Sequence, residues 1–136
     1  MRRSGGTTRS PIKVFHAHVY FDPATRRAAR AVQNALIASF GADCRWRDRP
    51  IGSHLKPNFR VRFTCGQFGR IVRWLMLHRQ GLSVLVHPYT EDRVADHSER
   101  ALWLGRRLSL NFQFLRRTVT AQAPTKARPG LDRSLR

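Results

Sequence analysis

Residues 15–21 read Phe-His-Ala-His-Val-Tyr-Phe, a strict alternation of side chains that predicts a β-strand. Successive side chains of a strand point to opposite faces of its sheet. With the four apolar residues packed into a core, His16, His18 and Tyr20 share the other face. Two imidazoles on the same face of one strand can supply two ligands to a metal ion. This stretch therefore predicts both a sheet and a metal-dependent chemistry.

Around this strand the sequence predicts a regular succession of strands and amphipathic helices. Helices are expected from Asp22-Pro23 to Phe40, closed by Gly41, and over residues 67–79. Further strands are expected over residues 44–47, 58–63 and 82–87. The order β-α-β-β-α-β is the split unit of the ferredoxin-like fold, an α+β sandwich in which two helices cover one sheet face and leave the other open.

The C-terminal third is expected to add a loop over residues 88–96, a short helix over residues 98–107 and an extra strand within residues 108–115. On the first helix, Gln33 is expected to face water together with the arginines. Residues 1–11 read as a disordered basic lead-in, residues 12–116 as the folded domain, and residues 117–136 as a flexible basic tail.

Length and composition restrict the class of protein. A chain of 136 residues with 41% hydrophobic residues suits one globular domain. No apolar run approaches the ~20 residues of a membrane span, and residues 1–10 lack the hydrophobic centre of a signal peptide. The two cysteines, Cys44 and Cys65, form no CxxC motif and no disulfide framework. A cytoplasmic protein with no membrane partner is the expectation.

The formal net charge of +18 is typical of proteins that bind nucleic acid, so nucleic acid is a candidate partner. The charge is spread out, however, because the two ends of the chain hold much of it and the body contains no run of five like charges. A solvated basic surface is therefore favoured over a nucleic-acid interface.

A third histidine joins the first two on the open sheet face. In residues 82–87 the pattern sends Val84 and Val86 to the core, so His87 points the same way as His16 and His18. The outward residues of the third strand, Asn58, Arg60 and Arg62, are expected on that face too. Tyr20 is expected at the edge of this patch.

Histidines without thiolates suit Fe(II) or Zn(II), and two or three protein ligands leave positions open for a substrate. A carboxylate, Glu91 or Asp92, is a further candidate ligand. His54 and His97 lie on segments that can fold over the patch, whereas His78, at a helix end, is expected to be structural. The chain contains no nucleophile elbow and no phosphate-binding glycine loop.

Several short motifs, in consistent order, resemble the DOPA 4,5-dioxygenase family. They are FHAHVYFD at 15–22, RPIGSH at 49–54, WLML at 74–77, GLSVLVHP at 81–88, and DH at 96–97 followed by ALWLG at 101–105. The likeness covers roughly residues 13–112. One departure is that this chain has Gly52-Ser53-His54-Leu55 where the family has Gly-Pro-His-Pro, so the proline frame of the loop is missing.

The resemblance implies an extradiol dioxygenase that uses non-haem Fe(II) and O2 to open the ring of a catechol such as L-DOPA. It also implies a ferredoxin-like fold and a homodimer. On this hypothesis His16, His18 and His87 hold the iron, with Zn(II) a substitute in purified protein. His54 or His97 then acts as general acid/base, and Arg60 or Arg62 holds a substrate carboxylate, with Tyr20 beside them.

Two other functions stay open at this point. One is a basic ferredoxin-like module that binds nucleic acid, although the third strand offers arginines rather than stacking aromatics. The other is a family member that binds metal but has altered or lost its activity.

Overall fold

The alternating segment that contains His16 and His18 forms the central strand of a five-stranded antiparallel sheet. The computed structural model describes residues 12–122. Its strands run in the order β2-β3-β1-β4-β5. They are β1 (Val14–Tyr20), β2 (Asp43–Arg47), β3 (Asn58–Thr64), β4 (Val84–Pro88) and β5 (Leu102–Leu104). The helices are α1 (Arg26–Phe40), α2 (Phe68–His78), α3 (Arg93–His97) and α4 (Phe112–Gln122). The first four strands with α1 and α2 confirm the ferredoxin-like arrangement.

Local capping marks the start of the turn that precedes α1 and the end of α1 itself. The Asp22 side chain accepts a hydrogen bond from the Thr25 backbone N–H at 3.0 Å, at the start of a short 3₁₀ turn that leads into the helix. Gly41 ends α1 in the left-handed conformation, with φ of +60°. Both features agree with the sequence prediction.

One sheet face is a continuous apolar core beneath α1 and α2. The inward residues of β3, Phe59, Val61 and Phe63, are buried as the alternation predicted. The expectation for Gln33 was wrong, because this side chain is only 6% exposed and accepts a hydrogen bond from Arg30. Burial of an amide is tolerated there because that hydrogen bond satisfies its oxygen.

The C-terminal elements differ from the prediction. Residues 98–107 form no helix: α3 ends at His97, and Leu102–Leu104 pairs with β4 as the extra strand. The Asp92 side chain accepts a hydrogen bond from the Ala95 N–H at 3.0 Å, so α3 begins inside the predicted loop. No strand lies within 108–115, where a single bridge joins Leu110 to His54 and α4 begins. Asn111 accepts from the Phe114 N–H at 3.0 Å and so caps α4.

The second sheet face is not open, contrary to the sequence prediction. The histidines on it are 2–7% exposed, and Leu85 on the same face is fully buried. The cover consists of α3, the loop that contains His54, and the segment leading into α4. Leu115, within α4, is also fully buried. Short irregular elements can cover a sheet face, but they carry little periodicity from which to predict that cover.

The predicted domain end at residue 116 falls inside α4, which continues to Gln122. The expected lead-in over residues 1–11, and the part of the expected tail beyond residue 122, lie outside the described residues. In the part of the chain that the structure describes, no helix has the length and apolar character needed to cross a membrane.

Candidate metal centre

Strand register brings three histidines together on the covered sheet face. His16 of β1 lies directly opposite His87 of β4, and His18 lies two residues further along β1, opposite Leu85. The candidate ligand nitrogens of the three imidazoles all lie within 4.8 Å of one another. All three side chains are buried. These three residues are called the histidine cluster below, and they are the ones that the sequence pattern selected.

Hydrogen bonds at Nδ1 determine which nitrogen two of these rings present. His18 Nδ1 lies 3.0 Å from Asn58 Oδ1, and His87 Nδ1 lies 2.7 Å from the Pro88 carbonyl oxygen. Both oxygens can only accept, so each Nδ1 donates. In a neutral imidazole the remaining nitrogen, Nε2, is then a lone-pair donor to a metal.

The spacing of these lone pairs fits a metal ion. His18 Nε2 and His87 Nε2 are 3.3 Å apart. Two imidazole nitrogens bound to one ion at ~2.1 Å, with angles between octahedral and tetrahedral values, are about 3.0–3.4 Å apart. Two lone pairs at such a distance repel unless a cation lies between them. The donor set of the histidine cluster therefore fits a first-row divalent metal.

The electrostatics of the cluster also favour ligation. Burial lowers the pKa of His18 well below its usual value, with His54 and His87 nearby adding to the effect. Burial likewise lowers the pKa of His87 well below its usual value, with His97 adding to the effect. Both rings are neutral at physiological pH, which is the protonation state that a metal requires.

His54 approaches the cluster from the loop between β2 and β3. Its ring lies 3.9 Å from the His18 ring, and its Nδ1 is 2.8 Å from the Tyr20 hydroxyl. Burial lowers the pKa of His54 to about 3, with His97 contributing. No proline flanks His54 directly; instead the Ser53 carbonyl oxygen accepts a hydrogen bond from the Asn111 N–H at 2.8 Å, and His54 is bridged to Leu110. Residues ahead of α4 thus replace the missing proline frame.

His97 approaches the cluster from the end of α3, beside His87. Its ring lies 4.1 Å from the His87 ring and 6.1 Å from the His54 ring. Its Nδ1 donates to the Arg93 carbonyl oxygen at 2.7 Å. Burial lowers the pKa of His97 as well. The structure thus brings five of the six histidines into one group, and leaves His78 exposed at the end of α2.

The two arginines predicted to contact the substrate lie next to the cluster, because β3 pairs with β1. Arg60 lies opposite His18 and Arg62 lies opposite His16, on β3. Arg60 is buried, whereas Arg62 is half-buried. Tyr20 is 2% exposed rather than at an edge, and its hydroxyl contacts His54. Burial raises its pKa well above the usual value, so the phenol stays protonated.

The carboxylate candidates have other surroundings. Asp92 caps α3 through the Ala95 N–H, and Glu91 is exposed. Among residues 12–122, the group with metal-ligand spacing consists of histidines alone.

Sequence reasoning missed Tyr89 and Arg93, which lie near the cluster. Tyr89 follows β4, and its ring lies 4.9 Å from the His16 ring. Arg93 stacks over the Tyr89 ring at 4.3 Å and donates to its hydroxyl at 2.7 Å.

Asn58, whose side chain contacts His18, was predicted only to point outward from the third strand. Its place on the same strand face as Arg60 and Arg62 was the available signal.

Comparison with known proteins agrees with the fold and with the family resemblance. The model of the Dopa 4,5-dioxygenase family matches residues 15–114. The chain is 30% identical over 112 residues to the DOPA 4,5-dioxygenase of Amanita muscaria, covering 75% of this chain and 49% of that protein. It is 40% identical over 87 residues to an uncharacterized 21.2 kDa protein of Botryotinia fuckeliana, covering 58% of this chain and 48% of that protein.

A solved structure is more similar still. The crystal structure of a "putative dioxygenase" from Nostoc punctiforme is 51% identical, with a TM-score of 0.76, covering 78% of this chain and 93% of that one. The chain spans about half the length of the curated relatives it matches. With 100 consecutive residues matched by the family model, the protein belongs to the Dopa 4,5-dioxygenase family.

Proposed function

We propose that the protein is a non-haem Fe(II)-dependent extradiol dioxygenase that opens the ring of a catechol such as L-DOPA with O2. The observation that carries the proposal is the buried cluster of His16, His18 and His87 in a member of this family. Bound there, Fe(II) would acidify the catechol hydroxyls and allow electrons to pass from the ring to O2. Both oxygen atoms of O2 then appear in the ring-opened product.

In this proposal the surrounding residues handle protons and orient the substrate. His54 lies beside His18 and His97 beside His87, and both provide general acid/base groups, as imidazoles commonly do. Arg60 and Arg62 supply guanidinium groups for a substrate carboxylate, on the strand next to the cluster. Tyr20 holds His54 in place through the hydroxyl contact. The nearly complete burial of the histidines keeps bulk water away from the reacting atoms.

The test is an aerobic assay of Fe(II)-reconstituted protein with L-DOPA and with simple catechols. We expect a yellow ring-opened product whose mass contains two added oxygen atoms, both labelled when ¹⁸O2 is used. The double variant His16→Ala/His18→Ala is expected to lose iron and product together. His78→Ala is the matched control, because it removes an exposed histidine outside the cluster and is expected to change neither.

Other outcomes separate the alternatives. Stoichiometric iron without product from any catechol supports a family member with changed or lost activity. Absence of bound iron in the wild type contradicts the proposal altogether. A preference for L-DOPA over catechol that disappears in Arg60→Leu, but not in Arg116→Leu, supports the substrate-binding role of Arg60.

Nucleic acid is the less favoured partner. The sheet face on which ferredoxin-like modules stack bases is here covered and filled with histidines. Part of the accessible basic charge lies on the helix layer, because α1 and α2 carry five arginines and no acidic residue. Steep salt dependence of binding to a DNA or RNA oligomer would support that function instead.

We also propose that the protein is a cytoplasmic homodimer. Sedimentation equilibrium tests the assembly, with a monomer of 15.7 kDa and a dimer of twice that mass as the two distinguishable results.

A further inference from the structure

Asn58 is buried beside the histidine cluster although its role is not explained by the fold. It is the first residue of β3, it is 2% exposed, and it lies opposite Tyr20 of β1. An amide in such surroundings is retained at a cost unless its polar atoms find partners. Both of its polar atoms do find partners, and one of these is a ring of the cluster.

The orientation of the Asn58 amide follows from its two partners. Its Nδ2 donates to the Lys56 carbonyl oxygen at 3.1 Å, and this oxygen can only accept. The NH2 group therefore faces Lys56, and Oδ1 faces His18 Nδ1 at 3.0 Å. An oxygen in that position requires His18 to carry its proton on Nδ1.

The alternative tautomer of His18 would close the site. With its proton on Nε2, His18 would donate to His87 Nε2, which lies 3.3 Å away. That hydrogen bond would use the His87 lone pair and leave His18 without one facing the cluster. The choice between a metal site and a histidine–histidine hydrogen bond thus depends on what occupies the space next to His18 Nδ1.

We propose that Asn58 is the positioning residue that holds His18 in its metal-binding tautomer. The inference rests on the proposed metal-binding role of His18, but not on the identity of the metal or of the substrate. Outer hydrogen bonds of this kind typically change metal affinity 10–100-fold. Asn58 would exert this effect through its side-chain carboxamide, which reaches His18 from the neighbouring strand β3.

The first test needs no metal. In the chelator-treated protein, ¹H–¹⁵N correlation spectra of the histidine rings are expected to show the His18 proton on Nδ1. Asn58→Leu removes the acceptor at similar volume and is expected to shift the His18 proton to Nε2. Asn58→Asp keeps an oxygen at the same place and is expected to restore the Nδ1 proton. A wild-type His18 with its proton on Nε2 overturns the proposal, even if the leucine variant fails to fold.

The second test measures affinity for Zn(II) and Co(II) by competition with a chelating dye. We expect Asn58→Leu to bind about 10–100-fold more weakly and Asn58→Asp to bind within about threefold of the wild type or more tightly. Gln33→Leu is the matched control, since it replaces a buried amide of α1, in the helix layer away from the histidine cluster, and it is expected to leave affinity unchanged. Equal affinity of wild type and Asn58→Leu overturns the proposal.

Urea unfolding of the metal-free variants distinguishes a residue that positions the His18 ring from one that only stabilises the fold. A positioning role predicts that Asn58→Leu loses affinity by a larger factor than Gln33→Leu at comparable loss of stability. Equal affinity losses at equal stability would mean that Asn58 only supports the fold. If the wild type binds neither Zn(II) nor Co(II), the proposed function fails, and the tautomer spectra still decide the role of Asn58.

Discussion

The two faces of the sheet are buried to similar extents by different means. Beneath α1 and α2 the buried side chains are almost all apolar, and the helices that cover them are 15 and 11 residues long. On the other face the buried side chains include five histidines, Arg60 and Asn58, and the cover consists of short elements and loops. The first face stabilises the fold through apolar burial, whereas the second retains polar groups that cost free energy to desolvate.

The difference shows where function is placed in this fold. Desolvation of the imidazoles is unfavourable for folding, but it keeps them neutral and close together. The helix-covered face compensates that cost and is insensitive to protonation. The following predictions test this division, starting with the largest expected effect.

Acid should destabilise the metal-free protein through the histidine face. The folded pKa values of His18, His54, His87 and His97 are lowered, His54 to about 3, so below pH 6.5 the unfolded state binds protons that the folded state does not. Stability is therefore full above pH 6.5 and is lost as the pH falls, at about 1.4 kcal/mol per pH unit for each histidine that stays neutral. Urea unfolding between pH 8 and pH 5 measures this slope.

A stability that stays constant between pH 8 and pH 5 would contradict the assignment of neutral, desolvated imidazoles.

Leucine truncation compares the packing of the two faces. Leu36 of α1 and Leu85 of β4 are both fully buried, the former under the helices and the latter beside the histidines. Each change to alanine is expected to lower the free energy of unfolding by about 3–5 kcal/mol. Only Leu85→Ala is expected to weaken metal binding as well. A loss below about 1 kcal/mol in Leu85→Ala, measured by urea unfolding, would mean that the second face is open after all.

Gly52→Ala tests the loop that carries His54. Gly52 has φ of +66°, and an added Cβ would lie 3.4 Å from the Phe114 ring. We expect a loss of about 1–2 kcal/mol in stability from the left-handed conformation, measured by thermal unfolding. Because the same loop positions His54, the rate of ring opening should fall as well. Gly41→Ala, which meets nothing within 4 Å, should show the stability loss with the rate preserved.

Asp92→Ala should have the smallest effect. It removes the N-cap of α3, whose last residue is His97. The expected loss is about 1 kcal/mol, measured by urea unfolding. Asp92→Asn retains an accepting oxygen and should recover most of it. A collapse of metal binding in Asp92→Asn would instead indicate a carboxylate ligand.

The sheet, α1, α2 and the histidine cluster could be predicted from the sequence because they depend on regular periods. Alternation in β1 and β4 determines the shared face of His16, His18 and His87. Residues beyond β4 were predicted less well. Leu108 and Leu110 alternate with polar residues as in a strand, and only the Asn111 cap shows that a helix follows. The proposed role of Asn58 depends on the tautomer of His18, and a tautomer preference produces no periodic pattern in the sequence.

The bond between Asn111 and Ser53 makes the enclosure of the histidine cluster depend on the C-terminal part of the fold. The strands that hold His16, His18 and His87 pair with one another without any residue beyond 88. The loop carrying His54 is instead joined to the segment ahead of α4, through the Asn111 N–H and the bridge to Leu110. A chain truncated before residue 110 would therefore retain every residue of the histidine cluster but lose both anchors of the loop that covers it.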